Sequence, residues 1–516
     1  MGLILSFDLG TGGNKASIFN ADGKNLGSVF VSYDTYYPGS GLHEQRPEDW
    51  WLAVVESTRK LLALGVCSPG DIECLSISGH SLGAVPVDRG GRLLREKTPI
   101  WSDTRAVKQA EKFFSSVDRT EWYMTTGNGF PAECYTVFKI LWYRDTDPDM
   151  FAKIYRILGT KDYINMKLTG RMVTDFSYAS GSGVYDLTGW GYADRFIEAS
   201  GLPEGIFPEM VPSAEVIGVL SAGAAESLGL PKGVRVACGG VDNSCMALGA
   251  GNTAEGRVYT SLGSSAWIAV SSSKPVLDAK VQPFVFTHVL PGMFTSAVSI
   301  FSAGRSFRWL KDTLCRNIAD QADGEGKDAY ELMTELAEGT PIGSRGLMFN
   351  PSLAGGTSLE PSFAMRGGFS GIDLKHTQAD VIRSVLEGVA INLGAVLRVL
   401  KSFCALSGDM VLVGGGSRSR MWRRIFADVF NMRIIKSAID QEAASLGAAA
   451  LGAVASGLWK DVSVIDRLHK GGETEEPDPA GVEKYGKLSV LFEETRKAQA
   501  AFAAVAAASG LEFLTE

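Results

Sequence analysis

The same short pattern occurs twice in this sequence, far apart in the chain, and this repetition constrains the fold more than any other feature. Asp8-Leu9-Gly10-Thr11-Gly12 follows the apolar run 3–7, and Ser261-Leu262-Gly263-Ser264-Ser265 follows the run 258–260. In each copy a strand ends at glycine and small hydroxyl residues, and the chain then resumes as a second strand. Such a hairpin tip can present backbone N–H groups and hydroxyls to an anion. Two copies predict two matching halves.

Only the first copy carries an acid, Asp8, which could hold a hydrated metal ion beside a phosphate. A single Gly-Thr-Gly turn between strands is common in proteins that bind no phosphate. The prediction of a nucleotide site therefore depends on the second copy and on a third glycine-rich turn at 414–416.

Strand-like and helix-like patterns alternate along most of the chain, which indicates an α/β fold. The region 120–201 is richer in aromatic residues and irregular turns, as expected of an insertion that shapes a substrate pocket. The predicted helices are 48–64, 104–114, 380–403, 419–430 and 442–455, and the predicted strands are 72–77, 234–238, 410–413 and 433–435, with a further hairpin at 85–93.

Composition favours a large enzyme that acts on a small molecule. The 516 residues carry a formal net charge of −8, and no basic cluster interleaved with aromatics is present, which argues against nucleic acid as a partner. The seven cysteines are scattered and never spaced as C-x-x-C, and no apolar run reaches a membrane-spanning length. We therefore expect a cytoplasmic protein with reduced thiols and no membrane or zinc site.

Asp242 is the candidate for acid–base chemistry. It lies just past the predicted strand 234–238, and α/β folds place ligand-facing residues where strands end. A carboxylate there can accept the proton of a hydroxyl group. From the residues alone, an equally good interpretation is that Asp242 only caps the helix that follows it.

Gly414, Gly415 and Gly416 follow an apolar strand and precede a helix that contains Trp422. They could let the backbone approach a nucleotide, or they could merely allow close packing between helix and strand. The sequence has neither a G-x-x-x-x-G-K-[ST] motif nor the acidic ribose partner of a dinucleotide fold.

Two further motifs carry a resemblance to a known family. Gly367-Gly368-Phe369-Ser370-Gly371-Ile372, then seven residues, then the segment 380–387, satisfies the C-terminal signature of the FGGY carbohydrate kinases. The N-terminal signature is partly kept: Lys139-Ile140-Leu141-Trp142 fits its centre, whereas Cys134 and Thr146 depart from it. Over nearly its full length the chain resembles this family, which contains the xylulokinases and belongs to the actin-like, ribonuclease-H-like superfamily.

The resemblance implies an α/β fold of two actin-like (ribonuclease-H-like) domains with a cleft between them. It implies a sugar-binding N-terminal domain at 1–250 and an ATP-binding C-terminal domain at 251–516. It also implies ATP and Mg²⁺ as cofactors and roles for individual residues. Asp8 would meet the metal, Thr11, Gly12, Gly263 and Ser264 would meet the phosphates, Gly414, Gly415 and Gly416 would pass under the adenosine, and Asp242 would be the catalytic base.

The acceptor residues are expected at three places. The first is His80, Ser81 and Leu82, where xylulokinases typically have Gln-Met-His and glycerol kinases have a Gln-Arg-Glu sequence, so the identity of the sugar stays open. The second is Trp101 with Asp103, since an aromatic face beside a carboxylate suits a polyol. The third is Asn243, next to the expected base.

The sequence thus predicts an ATP-dependent kinase that phosphorylates a hydroxyl of a small sugar or polyol. D-xylulose is the first expected acceptor, with ribulose, an erythritol-type polyol or a hexose derivative as alternatives. A non-kinase actin-like ATPase is the alternative from another class, because such domains also serve filaments and chaperones. A homodimer is compatible with all of these interpretations.

Overall fold

A computed structural model describes residues 2–357, 365–437, 439, 442–470 and 472–509. The strands in chain order are β1 Leu3–Gly10, β2 Gly13–Phe19, β3 Asn25–Ser32, β4 Tyr36–Gly39, β5 Leu42–Gln45, β6 Ile72–Gly79, β7 Val85–Val87, β8 Thr98–Pro99, β9 Arg156–Leu158, β10 Val173–Asp175, β11 Tyr185–Asp186, β12 Gly191–Tyr192, β13 Glu209–Val211, β14 Val216–Val219, β15 Arg235–Ala237, β16 Gly240–Val241, β17 Val258–Leu262, β18 Ala266–Ser272, β19 Phe284–Thr287, β20 Phe294–Ile300, β21 Met348–Asn350, β22 Gly368–Ser370, β23 Asp409–Val413, β24 Arg433–Lys436 and β25 Thr474–Glu475.

The α-helices in the same residues are α1 Pro47–Ala63, α2 Val107–Phe113, α3 Arg119–Thr126, α4 Thr136–Thr146, α5 Pro148–Phe151, α6 Thr160–Thr169, α7 Phe176–Ala179, α8 Asp194–Ser200, α9 Ala222–Leu228, α10 Asp242–Gly249, α11 Gly304–Thr313, α12 Arg316–Glu325, α13 Ala329–Glu338, α14 Gln378–Phe403, α15 Arg420–Phe430, α16 Ala443–Ser456, α17 Val464–Leu468 and α18 Pro479–Ala508. Within the described part of the chain, no helix combines the length and the apolar character needed to cross a membrane.

The chain divides into two compact units. The first comprises Met1–Glu255, Ser271–Ser296 and Glu442–Lys470, and the second comprises Gly256–Val270, Ala297–Gln441 and Gly471–Glu516. The chain therefore passes between the units several times, so each unit is assembled from segments that are distant in sequence.

The first unit is built on the sheet β14-β15-β6-β1-β2-β3, with β16 also paired to β6. β1 runs parallel to β6 and antiparallel to β2. Side chains of a strand alternate between its two faces. Leu5, Phe7 and Leu9 accordingly join a core with Trp50 of α1. Ile4 lies on the opposite face, against α16. A Cβ added to Gly452 of that helix would lie 2.9 Å from Ile4 Cγ2.

The second unit repeats this arrangement with different strands. β17 pairs antiparallel with β18 and parallel with β23, which in turn pairs parallel with β24, and β25 closes this edge. In each unit a hairpin thus precedes a parallel partner of its first strand. The predicted α/β fold with two matching halves is confirmed.

The C-terminal signature forms part of the second unit's framework. Its glycine-rich half contains β22, which pairs with β21, and its second half begins α14. Asp380 accepts hydrogen bonds from Thr377 at the start of that helix. Two turns further along α14, Glu387 is buried and forms an ion pair with Arg383 at 2.8 Å.

Most predicted elements are present within a few residues of their expected ends, but two regions differ. β7 pairs along its length with β9, and Leu93 makes only an isolated bridge to Val87. The region 120–201, predicted to be irregular, contains α4 and α6, whose buried side chains occur on nearly all sides. Helices buried all round lack the one-sided apolar stripe by which a helix is recognised in sequence.

Candidate functional site

Two carboxylates meet at the strand ends of the first unit. Asp8 pairs in register with Ser78 of β6, and Gly240 of β16 pairs with Ser78 on its other side. Ser78 Oγ donates to Asp8 Oδ1 at 3.1 Å. β16 ends at Val241, so Asp242 follows as the first residue of α10. Parallel strand pairing therefore brings Asp242 to the edge of the sheet where Asp8 lies.

The pKa values of both carboxyl groups are displaced upward. Burial raises the pKa of Asp8 to about 6, although the hydrogen bond from Ser78 and the charge of Lys15 oppose this. Burial, and then the negative charge of Asp8, raises the pKa of Asp242 to about 7. A group whose pKa lies near 7 exchanges protons readily at neutral pH, which suits a general base.

Asp242 does not act as the cap of α10. Val241 occupies the N-cap position, and Asp242 accepts a hydrogen bond from its neighbour's backbone, Asn243 N, at 2.8 Å. Asp242 and Asn243 both remain partly exposed. The structure therefore does not support the interpretation that Asp242 only caps α10.

A buried polar network supports the backbone just before Asp242. Val241 N donates to Ser177 Oγ at 3.0 Å, and Ser177 Oγ donates in turn to Asp175. Asp175 also accepts from Ser213 at 2.8 Å and forms an ion pair with Lys161 at 3.0 Å. Because this network is fully buried, it holds the start of α10 in one position.

The tip of the first hairpin is the two-residue turn Thr11-Gly12 between the paired residues Gly10 and Gly13. Gly12 is exposed, and a Cβ added there would meet nothing within 4 Å. Gln45 Nε2 donates to Thr11 O at 2.7 Å, and Trp101 Nε1 donates to Thr11 Oγ1 at 3.0 Å. These two hydrogen bonds to Thr11 therefore fix the tip, while Gly12 leaves room for a ligand.

Sequence reasoning missed Lys15, which pairs with Asp8 across the β1–β2 hairpin. Directly opposed residues of two strands point to the same face, so the register of the predicted hairpin would have identified it. Lys15 Nζ forms an ion pair with Glu442 at 3.2 Å, and both side chains are partly exposed. A cation thus lies beside Asp8.

In the second unit, the tip formed by Gly263, Ser264 and Ser265 is exposed. It is held by the start of α11, because Gly304 N donates to Gly263 O at 2.9 Å and Arg305 N donates to Ser264 O at 3.0 Å. A Cβ at Gly304 would lie 2.4 Å from Gly263 O, so this close approach requires glycine.

The glycine triplet lies directly beside this tip. Gly414 has φ 93° and would place a Cβ 2.7 Å from Leu262 O, while a Cβ at Gly416 would lie 2.3 Å from Leu262 Cδ2. Gly415 is exposed, with no atom within 4 Å of an added Cβ. Two of the glycines therefore serve close packing, and Gly415 leaves open space over the backbone. Gly263, Ser264 and the triplet are thus neighbours at one edge of the second unit's sheet.

The predicted acceptor residues His80, Ser81 and Leu82 follow β6. His80 is 1% exposed, its ring lies edge-on to Trp50, and Thr160 Oγ1 approaches its Nδ1 at 3.2 Å. Burial lowers the pKa of His80 to about 4, so the ring is neutral at pH 7. Leu82 is also 1% exposed and packs in an apolar core with Tyr135. Ser81 is 9% exposed, and the roles of all three in sugar binding stay predictions.

Trp101 and Asp103 have different environments. Trp101 is partly exposed and contacts the tip of the first hairpin through its hydrogen bond to Thr11. Asp103 is fully buried, accepts from His43 N at 2.7 Å and forms an ion pair with Arg105 at 2.7 Å. Arg105 also pairs with Glu44 at 2.8 Å. Asp103 thus braces the segment that carries Trp101.

A carboxylate pair such as Asp8 and Asp242 is compatible with a hydrated divalent cation. After burial, the negative charge of Asp8 is the next cause of the raised pKa of Asp242, and a cation would relieve that repulsion. Mg²⁺ usually keeps several waters and uses one or two carboxylates beside substrate phosphates. The described residues contain no group of three or more His, Cys, Asp or Glu side chains that could hold a metal ion.

Comparison with known proteins accounts for most of the chain. The family models "FGGY family of carbohydrate kinases, N-terminal domain" and "C-terminal domain" match residues 3–249 and 258–456. A xylulose kinase of Bacillus subtilis is 28% identical over 498 residues, which are 95% of this chain and 96% of that protein. A gluconokinase of Bacillus licheniformis is 26% identical over 492 residues, 95% of this chain and 94% of that protein.

A solved structure agrees with the sequence comparisons. The crystal structure of a "xyloylose kinase" from Brucella ovis superposes with a TM-score of 0.86 at 27% identity, covering 97% of this chain and all (100%) of that one. Together, the two family models span both strand-and-turn motifs, the paired carboxylates and the glycine triplet. This chain belongs to the FGGY family of carbohydrate kinases, which use ATP as phosphoryl donor.

Proposed function

We propose that this kinase transfers the γ-phosphoryl group of ATP to a hydroxyl of a ketopentose, with D-xylulose as the first candidate. The observation that carries the proposal is the pair Asp8 and Asp242 at the strand ends, where the pKa of Asp242 is raised to about 7. The xylulose kinases among the similar proteins support the choice of a ketopentose.

In this proposal the hydroxyl oxygen of the acceptor attacks the γ-phosphorus of ATP, and Asp242 accepts the hydroxyl proton. The bond between the γ-phosphorus and the β–γ bridging oxygen breaks, and ADP leaves. Asp8 would hold hydrated Mg²⁺, which would neutralise charge on the phosphates. Thr11, Gly12 and the neighbouring Lys15 approach the phosphates from the first unit. Backbone N–H groups near Gly263 and Ser264 approach the phosphates, and Gly414, Gly415 and Gly416 pass under the adenosine.

The charges around the predicted acceptor segments favour a neutral sugar over a sugar acid such as gluconate. A carboxylate ligand needs a cation with free donors. Arg105 is already paired with Asp103 and Glu44, and Lys139 is fully buried with its ammonium donating to two backbone carbonyls. Arg105 and Lys139 are thus committed to protein groups.

A coupled ADP-release assay over a panel of acceptors tests the proposal. The panel should contain D-xylulose, ribulose, erythritol, glycerol and gluconate, with ATP alone as the reference. We expect ADP release to require an acceptor and kcat/KM to be highest for a ketopentose. A preference for gluconate would contradict the neutral acceptor, and acceptor-independent ATP hydrolysis would favour a non-kinase ATPase.

The pH dependence of turnover should report Asp242. Its pKa is raised to about 7, so below that pH the carboxyl is protonated and cannot accept the hydroxyl proton. We expect kcat/KM for the acceptor to fall as the pH decreases through 7 and to level off above it. A profile that stays flat down to pH 5 would show that a group with an ordinary carboxyl pKa, or none, acts as the base.

Replacement of Asp8 should impair the use of the metal. We expect Asp8→Asn to raise the Mg²⁺ concentration for half-maximal turnover by about 10- to 100-fold, because the site loses one of its two negative charges. The charge of Asp8 also raises the pKa of Asp242, so the acid limb of the residual activity should move to lower pH. An unchanged Mg²⁺ titration would remove Asp8 from the metal site.

We also propose that the enzyme works in the cytoplasm and can form a homodimer. All seven cysteines are free thiols and five of them are buried, which agrees with a reducing compartment. Size-exclusion chromatography with light scattering tests the homodimer directly, and a monomer at micromolar concentration would exclude it.

A further inference from the structure

Lys139 of α4 links the two chain segments that carry the predicted acceptor residues. Its Nζ donates to Leu82 O at 2.9 Å and to Ile100 O at 2.7 Å, and its side chain is fully buried. Leu82 ends the triplet that follows β6, and Ile100 immediately precedes Trp101. One ammonium group thus spans the backbones of both segments.

The Leu82 carbonyl belongs to a strained stretch of backbone. Leu82 has φ 59°, in the left-handed region that residues other than glycine rarely adopt. A conformation of this kind persists only where the surrounding structure enforces it. Two side chains on one face of α4 do so: Thr136 Oγ1 donates to Gly83 O at 3.2 Å, and Lys139 donates to Leu82 O. On the same face, Tyr143 Oη donates to Ala84 O at 2.8 Å, outside the segment 79–83.

Lys139 differs from Thr136 and Tyr143 in two respects. These two bind one carbonyl each, whereas Lys139 alone of the three reaches both segments. Its ammonium also contacts no carboxylate among the described residues. Burial lowers the pKa of Lys139 to about 8, and the titratable groups that interact with it include Cys134, Asp103, Arg105 and His80. A buried cation without an ion-pair partner is costly, so its hydrogen bonds to both carbonyls are what keep it there.

We propose that Lys139 is a positioning residue for the acceptor, which sets the spacing between the segment 79–83 and the segment that begins at Ile100. The proposal rests on the proposed function, because it takes these segments as the acceptor site. A shift of the Ile100 segment would therefore move Trp101, which is a predicted sugar contact.

The test compares Lys139→Met with Tyr143→Phe. Methionine keeps the length and apolar body of lysine but removes every donor. Tyr143→Phe is the matched control, because it removes one buried hydrogen bond from the same helix face to Ala84 O, outside both acceptor segments. For each variant, KM for the best acceptor, KM for ATP, kcat and the melting temperature are measured.

We expect Lys139→Met to raise the acceptor KM by about tenfold or more, because the loss of both hydrogen bonds frees the two acceptor segments to shift, with the KM for ATP unchanged. The ranking of acceptors should also become flatter. Tyr143→Phe should lower the melting temperature without changing the acceptor KM. An unchanged acceptor KM in Lys139→Met, or a parallel rise in both KM values, would overturn the proposal and leave Lys139 a purely structural residue.

If Lys139→Met does not yield folded protein, Lys139→Arg replaces it. Arginine keeps the charge but places its donors farther from the backbone, so the acceptor KM should still rise selectively, and an unchanged value would overturn the proposal. The outcome is separable from the proposed function. If the wild type phosphorylates none of the panel acceptors, the proposed function fails. If the wild type is active but replacement of Lys139 leaves the acceptor KM unchanged, only this inference is contradicted.

Discussion

Asp242→Asn is expected to abolish sugar phosphorylation, with kcat reduced by about 10² to 10⁴, because removal of a positioned general base has effects of this size. Asparagine keeps the shape of the side chain but cannot accept the hydroxyl proton. ATP binding should be nearly unchanged, since the predicted adenosine residues lie in the second unit. Single-turnover product formation and equilibrium nucleotide binding measure the two effects separately.

The same variant should not be less stable than the wild type at pH 8. The folded-state pKa of Asp242 is about 7 against an ordinary value of 3.8, so the fold favours the protonated form. As the pH rises from about 4 through 7, ionisation of this carboxyl group therefore lowers the free energy of unfolding. A neutral asparagine does not ionise, so the variant does not lose this stability. We expect an equal or higher melting temperature at pH 8. Asp22→Asn, at an exposed position, is the control for replacement of a carboxylate.

A near-normal kcat in Asp242→Asn would remove Asp242 from the mechanism. A low kcat accompanied by a much lower melting temperature would instead indicate a structural role for the carboxylate. The two readouts together thus distinguish a base from a group that stabilises the start of α10.

Gly447→Ala should destabilise the first unit strongly, although it adds only one methyl group. α10 and α16 cross so closely that a Cβ at Gly447 would lie 1.9 Å from Cys245 O, and one at Gly249 would lie 1.8 Å from Ala443 O. Both obstacles are backbone atoms, so no side-chain rotation relieves the overlap and the helices must separate. Overpacking lowers the free energy of unfolding by about 1–3 kcal/mol and occasionally more. Because the backbone must move here, we expect a decrease at the upper end of this range.

Because α10 begins at Asp242, Gly447→Ala should also lower kcat in whatever protein remains folded. Gly223→Ala is the matched control. Gly223 lies in α9, and an added Cβ would meet no atom within 4 Å, so alanine there should be neutral or stabilise by about 0.5–1 kcal/mol. Thermal unfolding of both variants measures the difference, and equal melting temperatures would contradict the close crossing of the two helices.

Local sequence patterns were sufficient to predict most of the framework. The two hairpins were recognisable because apolar strands end at glycines beside small hydroxyl residues, and β1–β2 and β17–β18 form there. The helix predicted at 380–403 is α14, Gln378–Phe403, because its apolar residues recur with helical spacing and Thr377 and Asp380 mark its start. The C-terminal signature then identified the family.

Local patterns failed where a helix is buried on nearly all sides and where the prediction required the partner of a charged side chain. α4 and α6 escaped prediction because their side chains are buried nearly all round. The pairing of Lys15 with Asp8 was overlooked, although the hairpin register implied it. The buried ion pair of Asp103 with Arg105 could not be foreseen, because the sequence does not specify whether a carboxylate faces solvent, a ligand or a protein cation.

The sequence by itself thus determined the duplicated α/β framework, the family and the candidate base, since strand period, turn glycines and signature spacing are local properties of the chain. Only the tertiary structure decided which groups share an environment. The raised pKa of Asp242 requires burial and the nearby charge of Asp8, which β6 and β16 bring to it. The link made by Lys139 requires two carbonyls from separate segments. Both are consequences of packing, which no single stretch of sequence contains.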